Sequence, residues 1–177
     1  MVQNARNGNK PAFRHRLVVV LQFCRNFIEL TLLLSVAWWW LLPYYGYAIA
    51  QLSAGVLLNG LDVPIEAARI DPNGILNTES ALVFVLDGHE LRLAVALLIT
   101  NMAPYLALVL ATPGLRVVRR LVILVAGAAV LFGGHVAFIV LALYFREAIA
   151  AAPHIPHAIA QFYLTLPFLL WIVLAYW

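Results

Sequence analysis

His135 lies near the middle of Leu121–Phe145, LVILVAGAAVLFGGHVAFIVLALYF, a run of 25 residues without an Asp, Glu, Lys or Arg. An ionisable group in such a run marks a functional position until a structural partner is named. Two chemistries suit it. As a neutral imidazole it would bond Asn101, Thr100 or a backbone carbonyl of a neighbouring helix, with Gly133 and Gly134 allowing close approach. As an axial ligand it would hold haem or (bacterio)chlorophyll, because Gly-Gly-His on an apolar helix leaves room for a planar macrocycle. The packing reading, with no cofactor, is preferred, since a b-type haem would want a second histidine at similar depth and neither His154 nor His157 sits deep enough.

Other polar residues offer weaker chemistry. Cys24 is the only cysteine, which excludes an internal disulfide and a cysteine metal cage. A Cys–His nucleophile pair needs contact between the two groups, yet Cys24 and the outer histidines are expected at opposite membrane faces, about 30 Å apart. No catalytic residue is therefore assigned. Arg25 and Glu29, four apart on a helical face, would form an interfacial ion pair, with a proton relay through Glu29 as the alternative. His89, between Gly88 and Glu90, reads as a solvated turn residue, and a metal site of His89, His154 and His157 as the less favoured option.

The elements that must position these residues are membrane spans. An apolar content of 64% and a mean hydropathy of +0.93 lie far outside the soluble globular range. The net charge of +3 might suggest a polyanion partner, but the charges are sorted by membrane side, so no nucleic-acid partner is expected. Residues 1–16 read as a basic cytoplasmic tail, and 17–177 as a single membrane domain. The first apolar run, Leu17–Leu42, is too long for a cleaved signal core and is read as retained. Its polar cluster at Gln22–Glu29 fits either one tilted helix of 26 residues or an interfacial turn to about Asn26 followed by a first span over about 27–47; the second is preferred because it leaves Arg25 near the headgroups. Trp38, Trp39 and Trp40 with Pro43, Tyr44, Tyr45 and Tyr47 would form an aromatic belt. Ala48–Leu58 fits either a continuation beyond a proline kink or a helix lying in the interface.

Residues 59–92 hold six of the eight acids and read as an extracytoplasmic β segment. Strand-like runs Val63–Ile70 and Ile75–Leu86, separated by the turn Asp71–Gly74 and followed by Asp87-Gly88, predict a hairpin or a three-stranded antiparallel sheet. Further spans are expected at about 93–111, 121–145 and 158–177, joined by the arginine-rich Leu115–Arg120 and the short far-side loop Arg146–His157. The fold class is thus an all-α polytopic membrane protein of four helices with a small extracytoplasmic β element. Arginine and lysine sorting places both termini on the cytoplasmic side, and the expected location is a bacterial inner membrane.

The strings Trp38–Tyr45 (WWWLLPYY), Asn101–Pro113 (NMAPYLALVLATP) and Phe162–Trp171 (FYLTLPFLLW), with the arginine-capped third span and its mid-helix histidine, resemble small exosortase-associated membrane proteins. These look like reduced, non-catalytic relatives of the exosortase and archaeosortase fold. Exosortases look like membrane transpeptidases using a Cys, an Arg and a His at the extracytoplasmic face. Here the cysteine position falls in Leu98–Asn101, which offers only Thr100 and Asn101, and His135 stands where an arginine would be expected. His154 and His157 lie near the place of the family histidine. The resemblance implies a relative without the chemistry.

The expected function is a non-enzymatic accessory or structural subunit of a bacterial inner-membrane complex, exosortase-linked, with other integral membrane subunits and lipids as partners. The alternatives are a haem- or pigment-binding subunit of an electron-transfer or light-harvesting complex, and a membrane-embedded exosortase-like peptidase. The apolar strand Ala81–Leu86, with Ala81, Val83, Phe84 and Val85, and the aromatic Trp38, Trp39 and Trp40 are the expected partner interface.

Overall fold

Between Ala12 and Leu42 the sequence contains neither proline nor glycine, so nothing in it ends a helix. In the computed structural model, which describes residues 10–74, 77, 79–94, 99–151 and 154–176, this stretch is part of one helix, α1 (Lys10–Gly60), of 51 residues. At the α-helical rise its length is about 76 Å. The expected turn near Asn26 is absent and must be corrected. A polar cluster changes which solvent a face prefers, but without a breaker it does not interrupt the hydrogen-bond ladder.

Pro43 lies inside α1 and does not end it either. Proline has no N–H, so the carbonyl four residues earlier, on Trp39, loses its usual donor. The side-chain amide of Asn77 supplies one, with Nδ2 at 3.1 Å from Trp39 O. Asn77 reaches it from a loop in which it adopts φ +60°, a conformation asparagine tolerates better than most residues. The continuation reading of Ala48–Leu58 is thus the observed one.

After α1 come β1 (Ala67–Asp71), β2 (Ala81–Leu86) and β3 (His89–Ala94), an antiparallel sheet in that order. Asp87 and Gly88 join β2 to β3 with φ +50° and +73°, the signature of a two-residue type I′ turn. The sheet and this turn agree with the sequence reading. The first strand begins at Ala67 rather than Val63, and the second at Ala81, while part of the expected run from Ile75 lies outside the described residues. Gln51 of α1 donates to Ala68 O at 2.9 Å, occupying a carbonyl on edge strand β1.

The chain continues with α2 (Met102–Ala111), α3 (Val117–Tyr144), α4 (Arg146–Ala151) and α5 (His154–Tyr176). The molecule is mostly helical. Two helices, α1 over Leu17–Gly60 and α3, are long and apolar enough to cross a membrane; α2 and the Gln161–Tyr176 part of α5 are apolar but shorter. The expected span 93–111 needs correction at its start, because Leu93 and Ala94 complete β3 and the helix of this region is α2; residues 95–98 lie outside the described ones. The expected far-side loop from Arg146 is partly helical, as α4.

The strand expected to offer the interface, β2, is largely covered within the chain itself. Leu82, Phe84 and Leu86 point into a core with Ile49 and Leu57 of α1 and Ile139 and Leu143 of α3. The opposite face carries Ala81, Val83 and Val85, yet Val83 is only 1% exposed and Ala81 is buried as well. Register explains the cover. Arg69 of β1 and Arg92 of β3 flank Val83 on the same face. Arg69 pairs with Glu90 at 2.6 Å, and Arg92 pairs with Asp71, so both ion pairs cross over the central strand. Exposed pairs of this kind contribute at most about 1 kcal/mol each. Their aliphatic stems cover apolar surface that would otherwise need a partner.

A second core joins α2, α3 and α5 around Tyr105, Ile123, Leu131 and Ala175, with Trp38 from α1. Tyr105 is fully buried and its hydroxyl donates to Ile123 O at 2.5 Å. Gly127 makes the approach of α2 to α3 feasible, because a Cβ there would overlap the Tyr105 ring. At one end of the bundle Thr112 acts as a junction. Its hydroxyl donates to Leu108 O and accepts from Trp171 Nε1, both at 2.7 Å, while its carbonyl accepts from Arg120 at 2.9 Å.

Candidate functional site

His135 is fully buried at the meeting point of α1, α3 and α5. The histidine is on the inward face of α3 because Leu131, His135 and Ile139 recur every four residues, one helical face. From α1, Tyr45 brings its hydroxyl to 2.8 Å from His135 Nδ1. In the neutral Nε2-protonated ring, the tyrosine donates and Nδ1 accepts. From α5, the Tyr163 ring stacks on the imidazole with centroids 5.8 Å apart and planes 27° apart. Phe132 packs edge-on against Tyr45, and Phe138 against Tyr163.

The partner foreseen for His135 among Asn101, Thr100 and backbone carbonyls is in this geometry a tyrosine. Asn101 is committed elsewhere. Its Nδ2 donates to Tyr163 O at 3.0 Å, and that carbonyl stands four residues before Pro167. The arrangement repeats that of Asn77 at Pro43: a proline inside a long helix frees a carbonyl, and an asparagine from another segment occupies it. Tyr163 in turn donates its hydroxyl to Gly134 O at 2.5 Å. A Cβ on Gly134 would lie 3.3 Å from that hydroxyl, so Tyr163 fills the space beside this glycine, whereas the position beside Gly133 is open within 4 Å.

Other polar residues stand apart from this cluster. Arg25 and Glu29 pair at 3.8 Å with both side chains about two-thirds exposed, at 67% and 68%. Cys24 is exposed on α1, 21 positions before Tyr45, which corresponds to about 32 Å along the helix axis. His89 opens β3 as an exposed residue, paired in register with Leu86. The side chains of His154 and His157 lie outside the described residues. Among the described residues no three His, Cys, Asp or Glu side chains assemble in a way that could hold a metal.

Sequence reasoning missed Tyr45 and Tyr163. Both sit in apolar runs where aromatic residues read as belt or core, and only the pairing of helices turns their hydroxyls inward. The Trp38–Trp40 string divides for a related reason. Successive residues turn about 100° around a helix, so Trp38 is buried in the core at 8% exposure while Trp40 is 79% exposed. Of the expected tryptophan interface, Trp40 is the member that faces outward, with Tyr44 and Tyr47 on the same side.

Removing the hydroxyl in Tyr45→Phe leaves a buried imidazole nitrogen without its donor. Membrane side-chain bonds of this type contribute about 0.6 kcal/mol and at most about 1.7, so a small drop in thermal stability in detergent is expected. In a His135→Leu background the same change should cost nothing further. Additive losses would place Tyr45's contribution outside this bond. No protein-family model, no curated protein and no solved structure matches the chain.

Proposed function

We propose that this chain is a non-enzymatic accessory or structural subunit of a bacterial inner-membrane complex, crossing the bilayer four times with both termini cytoplasmic. The observation that carries the reading is the unmatched length and exposure of α1. Its apolar part, Leu17–Gly60, has 44 residues, about 66 Å against a hydrocarbon thickness of about 30 Å. Toward its C-terminal end Ile49, Ala50 and Leu57 are covered by the sheet and α3. At the other end Phe23 stacks on Trp171 with centroids 5.6 Å apart, level with Thr112 and the Arg120 side chain. Leu17, Val18, Val20 and Leu21 continue past that level, each about half exposed. An apolar helix end beyond the arginine-rich rim offers a surface that another subunit would cover. The resemblance of its strings to exosortase-associated membrane proteins makes an exosortase-linked assembly the first to test.

Photo-crosslinking residues placed at Leu21 and Trp40, followed by purification from bacterial membranes in mild detergent, test the reading. The expected result is a discrete cross-linked heteromer of fixed stoichiometry from a colourless preparation, with reporters after Arg120 and within Asp71–Gly74 on opposite membrane sides. Cross-links to lipid alone would remove the subunit reading. A Soret or Qy absorption band lost in His135→Leu would replace it with a cofactor-binding subunit.

A further inference from the structure

An apolar cleft of about 440 Å³ opens between β3, α3, α4 and α5. Its wall on α3 is the stripe Ala137, Phe138, Leu141 and Ala142, and Tyr163 of α5 lines it as well. That ring is fixed by its bond to Gly134 O and by its packing on Phe138. At the mouth stand two arginines, Arg92 and Arg146. From Phe138 to Tyr144, the last residue of α3 before Arg146, the helical rise is about 9 Å, so the cationic group and the apolar wall are separated by the length of an acyl-chain segment.

The two arginines differ in how they are already engaged. Arg92 is paired with Asp71 across the sheet. Arg146 approaches Asp87 only to 3.8 Å, beyond hydrogen-bond distance, and its side chain is 41% exposed. A guanidinium so placed retains donors for a phosphate, which it can grip through two parallel N–H groups. The small side chains of Ala137 and Ala142 leave the volume that a chain would occupy, since longer residues there would fill it.

We infer that this cleft binds one anionic phospholipid, with an acyl chain along the Ala137–Ala142 stripe and the headgroup phosphate at Arg146, assisted by Arg92. Charge complementarity selects this occupant over a zwitterionic lipid, and the apolar interior selects it over a soluble phosphate. The site is independent of the subunit proposal, because it uses neither the projecting end of α1 nor the Trp40 face.

Native mass spectrometry of the full-length protein, released from detergent in the presence of phosphatidylglycerol or phosphatidylcholine, tests this. One phosphatidylglycerol should be retained in preference to phosphatidylcholine, and Arg146→Gln should weaken its retention about fivefold, the factor corresponding to one basic group acting on an anionic headgroup. Arg146→Lys should recover part of the preference. Ala142→Leu should reduce retention of both lipids by filling the cleft, and its thermal transition should match the parent protein's if folding is intact. Arg25→Gln, at the opposite end of the molecule, should change nothing. Equal retention of the two lipids, or retention unaffected by Arg146→Gln, would overturn the assignment. So would displacement of the lipid by inorganic phosphate at concentrations comparable to the lipid's own.

Discussion

Gly127→Ala is expected to destabilise the protein by about 3 kcal/mol, combining the cost of overpacking with that of breaking a buried hydrogen bond. The added methyl would occupy the space of the Tyr105 ring near its hydroxyl end. A flexible side chain could swing its tip away, but an aromatic ring fully buried between helices can move only as a rigid plate. Moving it would take the hydroxyl from Ile123 O, leaving that bond unmade in an apolar setting. For a chain of this size the loss corresponds to a fall in the melting temperature of roughly 10 °C. Gly133→Ala, six residues along α3, should be neutral or slightly stabilising, since a Cβ there meets nothing within 4 Å. Equal melting temperatures for Gly127→Ala and Gly133→Ala, measured in one detergent, would refute the packing of α2 on α3 described here. Partial recovery in Gly127→Ala combined with Tyr105→Leu would locate the cost in the ring.

Asn101→Ala should cost about 1–2 kcal/mol, the range for an orphaned buried acceptor. Asn101 is 4% exposed and donates to Tyr163 O. Pro167 supplies no N–H to that carbonyl, so the asparagine is its donor in place of the helix's own ladder. A specific dependence follows: in Pro167→Ala the ladder regains its N–H, and Asn101→Ala should then cost little. The coupling between the two positions, read from a double-mutant cycle in thermal unfolding, is expected to approach the full cost of the single Asn101 change. The same cycle applies to Asn77 and Pro43 through Trp39 O, with a smaller effect because that bond is only partly buried. Equal costs for Asn101→Ala in both backgrounds would mean that the asparagine stabilises the bundle by other contacts.

These two cases separate what is local from what is not. The absence of any breaker between Ala12 and Leu42 is a statement about the chain alone, and it suffices for a long helix; the polar cluster at Gln22–Glu29 invited a turn that no residue there enforces. Similarly, Asp87-Gly88 specifies a two-residue hairpin because both positions must take positive φ. The apolar content and the charge-free Leu121–Phe145 run likewise follow from composition, and α3 occupies Val117–Tyr144 accordingly.

What β2 would touch was not legible in the same way. Ala81–Leu86 is apolar on both alternating faces, and sequence supplies no rule for what covers the second face. The cover came from Arg69 and Arg92, residues 23 positions apart that only strand register brings to either side of Val83. The tryptophan string divided between core and exterior because neighbours on a helix point in different directions, whereas the sequence presents them as one aromatic block. His135 stood out by its chemistry, but its tyrosine partner is 90 positions away on α1. The prolines at 43 and 167 announced that two carbonyls would lose their donors. Which asparagines would replace those donors was decided only when the β1–β2 loop met α1 and the approach to α2 met α5. Backbone geometry, turn chemistry and solvent preference act within a few residues and can be read along the chain. Burial, close approach and the satisfaction of polar groups depend on distances that exist only after the elements have packed.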